Sequence, residues 1–400
     1  MEEHYRERIK SKLKELKTNN QFYKEKYKNL DLDLLKKPDD FDKLIPFIDK
    51  SEVFTKENIG KIFDFGDGII SPSAGTTAGK FSFRYTLNGT STEFNQQLIQ
   101  IIDLWFGIKQ KKTLIINAYP MGVTLPEGPY TVINTTTRTD VIVYALDYLA
   151  EEFENVIIVG QPHFIKHLID LPDFKAIRIN RDHIKLILGG SWFPYTFEIY
   201  LLKSIHGNSW MNHTDSIKST YGTAETGLGV LIDLPKNVRA MFSKNQLNEM
   251  IPLVYTFDPN SFYLEVVDGS LVITTLRISN PELIRYKTED KAAFLSADKL
   301  PEPLKVLNIG NIVLLYGRGE SYDRNSRIAH NLFYNYEYAK NITGNFYLEG
   351  GTLFIQLGSG LKKGKSIDEY FRSIFNYKIE IQECDNYKYK SELERKPLIK

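Results

Sequence analysis

The stretch Ser71-Pro72-Ser73-Ala74-Gly75-Thr76-Thr77-Ala78-Gly79-Lys80 is built from small and hydroxyl-bearing residues, with two glycines and a closing lysine. Backbone N–H groups in such a loop can curl around an anion, and the hydroxyls add donors. The chemistry would be the holding of phosphate oxygens. The loop is not a Walker A loop, which has a longer spacing between its glycines and a Ser or Thr after the lysine. Here Thr76, Thr77 and Ala78 separate Gly75 from Gly79, and Phe81 follows Lys80. Taken alone, the same composition also makes an ordinary surface turn.

Five further segments follow in order. They are Asn117-Ala118-Tyr119-Pro120-Met121-Gly122, then Gly189-Gly190-Ser191-Trp192-Phe193-Pro194, then Ser219-Thr220-Tyr221-Gly222-Thr223-Ala224-Glu225-Thr226-Gly227. Leu283-Ile284-Arg285-Tyr286-Lys287-Thr288-Glu289-Asp290 and Tyr316-Gly317-Arg318-Gly319-Glu320 close the series. The elements that position them are legible from periodicity. Residues 3–18 place Tyr5, Ile9, Leu13 and Leu16 on one side of a helix. A second short helix is expected over 22–35 and a short strand near 62–65. The loop of 71–80 then reads as the middle of a strand–loop–strand unit. Continuous apolar runs at 113–116, 155–160 and 185–190 read as buried strands, and helices are expected over 94–108, 141–153 and 162–171. Residues 262–276 form a hairpin about Asp268-Gly269. Strand follows near 311–316. Strand 352–357, helix 366–375 and strand 377–382 make a small terminal unit.

The 400 residues are 42% hydrophobic and 25% charged, with net charge +1, which is ordinary for a globular chain with a core. That balance offers no electrostatic case for nucleic acid or an anionic membrane as partner. The one cysteine, Cys384, excludes an internal disulfide and a multi-cysteine zinc site. The charged start and the lack of a long apolar run lead to the expectation of a cytoplasmic protein. His163 and His167 have the helical spacing of a zinc pair, but Phe164 stands where a zinc protease needs Glu.

Together, in this order, the segments resemble the adenylate-forming superfamily of acyl-CoA synthetases and adenylation domains, most closely its phenylacetate-CoA ligase-like branch. The resemblance runs over roughly residues 20–320. It implies an α/β fold: a large N-terminal domain (1–317) of layered sheets and helices with a β-barrel-like portion, and a small, shortened α+β C-terminal lid domain (318–400). It implies ATP-dependent adenylation of a carboxylic acid, expected to be an aryl acid, then acyl transfer to a thiol of coenzyme A or a carrier protein. ATP and Mg²⁺ are the implied cofactors. By the same resemblance, Ser73, Gly75, Thr76, Thr77, Gly79 and Lys80 would cradle phosphates and Glu225 would hold Mg²⁺. Tyr221, Gly222 and Thr223 would border the nucleotide, with Gly189, Gly190 and Ser191 opposite. Asp290 and Arg318 would take the ribose. Tyr119, His163 and Ala224 would contact the acid, Lys396 would steady the reacting groups, and Glu320 would be the hinge.

Departures from the family pattern are also visible. Ala78 stands at a usual glycine, Glu289 replaces the glycine before Asp290, and residues 321–329 lack glycine. Lys396 shares its neighbourhood with Glu394. Two other readings stay open at this point. One is a nucleotide-binding regulatory or scaffold protein without ligase chemistry. The other is an acyl-protein synthetase that loads its own Cys384.

Overall fold

A computed structural model describes residues 3–36, 38–63, 65–72, 82–87, 92–120, 125, 127–234, 252–277, 279–295, 312–318 and 322–384. The chain opens with short helices: α1 (Glu3–Asn19), α2 (Gln21–Lys26), α3 (Pro38–Leu44), α4 (Lys50–Val53) and α5 (Ile59–Ile62). The apolar stripe of α1 is buried at Ile9, Leu13 and Leu16. Asn20 caps α2 by accepting from the Tyr23 N–H, and Asp49 caps α4 by accepting from Ser51 and Glu52. The expected helix over 22–35 is interrupted, because Asp31 starts a separate 3-10 turn, Leu32–Leu34, with its own side chain. The expected strand near 62–65 is not formed. Ile62 instead closes α5, with its N–H donating to the Asn58 carbonyl.

Next comes an antiparallel hairpin, β1 (Gly68–Pro72) and β2 (Phe83–Leu87), with Ser71 opposite Arg84. It is followed by α6 (Thr92–Phe106) and by β3 (Thr113–Asn117) and β4 (Thr131–Asn134). Helix and strand then alternate through α7 (Thr139–Leu149), β5 (Asn155–Gly160), α8 (Pro162–Asp170), α9 (Pro172–Ala176), β6 (Ile184–Gly189), α10 (Tyr195–His206) and β7 (Ile217–Thr223). The strands β8 (Gly227–Asp233), β9 (Leu253–Thr256), β10 (Phe262–Val267), β11 (Ser270–Thr275), β12 (Tyr286–Leu295) and β13 (Ile312–Arg318) complete an 11-stranded sheet. Its order is β10-β11-β12-β13-β9-β8-β7-β6-β5-β3-β4.

From β4 to β7 the neighbours are parallel, and from β7 to β10 they are antiparallel. The mixed α/β class read from the sequence is the class found. The apolar runs of β3, β5 and β6 are two-sided. Leu114, Ile116, Val156, Ile158, Leu186 and Leu188 face one core, with α7, α8 and α10. Ile115, Ile157, Val159 and Ile187 face the other, with α6. That alternation fixes the register, since a one-residue slip would exchange the two faces.

A three-stranded sheet follows: β14 (Ile342–Glu349) antiparallel to β15 (Thr352–Ser359), which is parallel to β16 (Lys378–Cys384). The helix Lys365–Ile374 makes the parallel crossover. This sheet is seated on α8. Lys166, fully buried, donates from Nζ to the Ile342 carbonyl (2.6 Å) and pairs with Asp170 (2.5 Å). Thr196 Oγ1 donates to the His330 carbonyl (2.9 Å), and the Phe333 ring meets Phe197 edge-on.

The N-terminal helices are held to the large sheet through Arg285, which has φ +50°. Its guanidinium pairs with Glu265 of β10 at 3.2 and 3.0 Å and donates to the Ile45 carbonyl at 2.6 Å. Both charges are buried, so removing one partner strands the other. Glu265→Ala is expected to lower the stability read by urea denaturation by about 3–5 kcal/mol. The double change Glu265→Leu with Arg285→Met is expected to lose less than that single change.

Candidate active site

In a sheet of this kind ligands bind beyond the carboxyl ends of the parallel strands, where the connections leave a crevice. Here that edge is formed by the ends of β3, β5, β6 and β7. Glycine is required at the end of β6. A Cβ at Gly189 would lie 2.3 Å from Tyr119 Oη and 2.9 Å from the Thr220 carbonyl oxygen, and Gly190 has φ +86°. Ser191, next in line, keeps a buried hydroxyl with no hydrogen-bond partner.

The turn between β7 and β8 is knotted by its own hydroxyls. Thr223 and Thr226 side chains lie 3.0 Å apart, each accepts from the other's backbone N–H, and Gly222 packs directly against the Gly227 carbonyl. Ala224 and the buried Glu225 ride on this turn. From β7, Tyr221 donates its hydroxyl to Asp290 Oδ2 of β12 at 2.8 Å. Asp290 is buried and its backbone N–H donates to Thr288 Oγ1. It lies opposite Arg318 in the β12–β13 register. Tyr221, Gly222, Thr223, Ala224, Glu225 and Asp290 are therefore grouped by the fold, with Gly189 and Gly190 on the neighbouring strand end.

Two arginines that the sequence reading did not single out stand at the same turn. Arg277, which follows β11, donates from Nη2 to the Thr226 carbonyl at 3.0 Å and stacks 4.6 Å from the Phe262 ring. Arg84 of β2 fills the space beside Gly227, where an added Cβ would come within 2.3 Å of its Nη1. The Arg84 Nε is buried with no hydrogen-bond partner. Burial lowers the pKa of Arg84. Burial first, then the charge of Arg84, pushes Arg277 down to about 9, against an upward pull from Asp258. Both remain cationic at neutral pH, as arginine does. Two like charges partly withdrawn from water favour an anion between or beside them. The available signal was a cation inside the apolar run Phe81-Ser82-Phe83-Arg84-Tyr85, directly after the glycine-hydroxyl loop.

On the α6 face of the sheet, at the same edge, lies an apolar cavity of about 30 Å³. Leu98, Ile102 and Trp105 of α6 line it, with Tyr119, Val159, Ile187 and Leu228. The Tyr119 hydroxyl is buried without a partner, and burial pushes its pKa up, so it stays a donor. His163 does not line this cavity. It sits on α8, across the sheet, with its ring 6.2 Å from Phe197 and its Nδ1 close to Gly344.

Ser73, Gly75, Thr76, Thr77, Gly79 and Lys80 lie outside the described residues, as do Glu320 and Lys396. For Arg318 and Cys384 only the strand backbone is described. Among the described residues, no helix is long and apolar enough to cross a membrane.

No family model matches the chain, and no curated protein matches it. Solved structures do. A 2-hydroxyisobutyryl-CoA ligase in its postadenylation state, bound to R3-HIB-AMP, superposes with a TM-score of 0.70 at 12% identity, covering 98% of this chain and 88% of that one. The open conformation of that ligase, with 2-HIB-AMP and CoA, scores 0.58 at 13% identity, covering 98% and 90%. Its thioesterification state scores 0.56 at 14% identity, covering 98% and 88%. At such identities the likeness is one of fold.

Arg84→Met removes a partly buried cation whose Nε is buried without a hydrogen-bond partner. It is expected to stabilise the unliganded protein by about 1 kcal/mol, visible as a higher Tm. The same change is expected to shrink the rise in Tm produced by pyrophosphate. A lower Tm with an undiminished pyrophosphate effect would contradict the anion role.

Proposed function

We propose that this chain, which has the fold of the adenylate-forming acid–CoA ligases, activates a carboxylic acid with ATP and hands the acyl group to a thiol. In the first step a carboxylate oxygen attacks the α-phosphorus and pyrophosphate leaves. In the second a thiol attacks the acyl carbon and AMP leaves. Neither step needs a nucleophile from the protein, so the residues must position reactants and offset charge.

One observation carries this reading. The partly buried cations Arg84 and Arg277, the Glu225 turn and the apolar cavity lined by Tyr119 lie at the carboxyl edge of the parallel strands. An anionic leaving group and a small apolar acid are the two things such a site accommodates.

Within the proposal, residues 73–80 and the two arginines hold the polyphosphate. Asp290, steadied by Tyr221, accepts from the ribose hydroxyls, and Arg318 lies beside it in register. Tyr221 and Gly222 border the adenine, with Gly189, Gly190 and Ser191 on the other side. Glu225 is a buried hard-oxygen donor, which fits Mg²⁺ held by one carboxylate together with phosphate oxygens and water. When bound there, Mg²⁺ neutralises phosphate charge. Lys396 as the late catalytic cation, Glu320 as the hinge and the division at 317/318 are assigned from the family resemblance. Coenzyme A is the proposed acceptor, with a pantetheine-bearing carrier protein as the alternative. The cytoplasm is the proposed location.

The cavity bears on the acid. A void of roughly 150 Å³ is what accepts a benzene ring. The cavity here is about 30 Å³ and would have to widen for any acid, least for a short aliphatic or hydroxylated one, which we therefore propose in place of the aryl acid implied by the resemblance. The Tyr119 hydroxyl would donate to the acid's carboxylate or hydroxyl.

ATP–pyrophosphate exchange with a panel of acids tests the proposal. Short aliphatic acids are expected to drive exchange and benzoates to drive little. Asp290→Ala is expected to weaken nucleotide binding by about 2 kcal/mol, roughly thirtyfold. Fastest exchange with aryl acids would overturn the size argument. No exchange with any acid would favour the nucleotide-binding scaffold.

A further inference from the structure

Near the edge of the sheet where β6 and β7 begin, a groove of about 640 Å³ opens between two parts of the chain. Lys203, in the last turn of α10, lines one wall together with Asn208 and Trp210 of the 3-10 stretch Gly207–Ser216. Tyr334, Tyr336 and Glu337 line the other, where the helix Tyr322–Leu332 gives way to the helix Tyr336–Ala339. Local structure sets both walls. Gly207, with φ +57°, reverses the chain after α10. His206 and His213 then stack face to face, with centroids 4.1 Å apart and planes 8° apart, and His213 Nε2 lies 3.2 Å from Asp182 Oδ1. The segment that carries Trp210 is thereby pinned before and after it. Opposite, the Asn335 side chain accepts from the Glu337 N–H and starts its helix, and the Tyr336 ring packs 5.5 Å from Tyr200 of α10. The groove is preformed, as small-molecule sites usually are.

Trp210, Tyr334 and Tyr336 are aromatic, and Tyr334 is 59% exposed, so it presents its ring to solvent. Lys203 Nζ stands 5.6 Å from the centre of the Trp210 ring, an attraction that keeps the ammonium at the groove. Among the described residues no carboxylate pairs with Lys203. The Glu337 carboxylate is engaged elsewhere, by Lys340 Nζ at 2.5 Å. Lys203 is thus a cation without a counter-charge, set beside aromatic rings. The exposed Asn208 amide adds hydrogen-bond donors and an acceptor.

We propose that this groove binds a planar aromatic anion, its ring against Trp210 and Tyr334 and its negative group on Lys203. Mononucleotides and aromatic carboxylates share that chemistry. Aromatic side chains stack on any flat π-system, and lysine takes phosphate or carboxylate as a point charge. A neutral sugar would use the rings and the amide but leave the ammonium unmatched. An acyl chain would leave both polar groups unmatched. The volume falls inside the ~300–1,000 Å³ usual for small-molecule sites, and a junction between two parts of a protein is a common place for one.

The groove and the proposed nucleotide site lie at the two ends of one helix. α10 starts just after the Gly189-Gly190-Ser191 strand end and finishes at the groove. At 12 residues it is roughly 18 Å long, so both sites can be filled at once. A ligand in the groove would join α10 to the segment 334–337 and so brace the C-terminal sheet on its seat at α8. This assignment does not rest on the ligase reading.

The test titrates the full chain with AMP and, separately, with 2-naphthoate in a calorimeter. Asp290→Ala is titrated alongside, because it disables the proposed nucleotide site and leaves the groove. In that variant one probe or both are expected to bind once per chain, with a Kd on the order of 0.1 mM. Lys203→Gln and Trp210→Leu, both at partly exposed positions, are each expected to weaken that binding by about tenfold. In the unaltered chain the same two changes should remove this binding event and no other. Binding of AMP alone would identify the ligand as a nucleotide, and binding of 2-naphthoate alone as an aromatic acid. No binding of either probe beyond the proposed nucleotide site, or binding that both groove variants leave intact, would overturn the proposal. Neither of those results would touch the ligase reading, which pyrophosphate exchange tests.

Discussion

Two partly buried guanidinium groups at one turn are the constraint on which the proposed site depends. Arg84 and Arg277 repel each other, and burial disfavours both charges. The fold tolerates them because their neighbours are fastened by other means. The β1–β2 hairpin is anchored where the Tyr85 N–H donates to the Asn280 carbonyl and the Tyr85 hydroxyl accepts from the Gly66 N–H. The turn after β7 is closed by Thr223 and Thr226. Strain of this kind, held by rigid surroundings, marks a place that waits for a compensating charge. In the proposed function a polyphosphate would supply one.

The sheet divides the remaining work. Its parallel half brings four strand ends to one edge, where glycine at 189 lets Tyr119 and β7 approach closely. Its antiparallel half brings Asp290 to the same edge from β12. The Tyr221–Asp290 hydrogen bond ties the halves together across the site. The opposite edge carries the histidine pair and Asp182, next to the starts of the two strands that carry Gly189 and Tyr221.

Much of this was legible in the sequence because the physical signals were local. The runs at 113–116, 155–160 and 185–190 could only be strands covered on both faces. Asp268-Gly269 could turn a hairpin because both residues adopt positive φ, +52° and +71°. The ordered motifs named both Tyr221 and Asp290, which share a hydrogen bond in the structure. What escaped were features set by tertiary geometry. Ile62-Phe63 reads equally as a strand or as the end of a helical turn, and here Ile62 ends α5. His163 was expected at the acid, but the α8 face it occupies packs against β14 and α10. Arg84 is set against Gly227 only by the tertiary fold. His206 and His213 are seven residues apart and meet only because Gly207 reverses the chain.

The central claim is that this edge of the sheet splits ATP between its α- and β-phosphates by attack of a carboxylate. A single-turnover incubation with ATP and a short-chain acid, without any thiol, followed by mass spectrometry of the enzyme-bound fraction, tests it most directly. The account predicts an acyl-adenylate on the protein and an equal amount of pyrophosphate released, both dependent on the acid. Formation of ADP and phosphate, or nucleotide bound but unchanged with every acid tried, would contradict it.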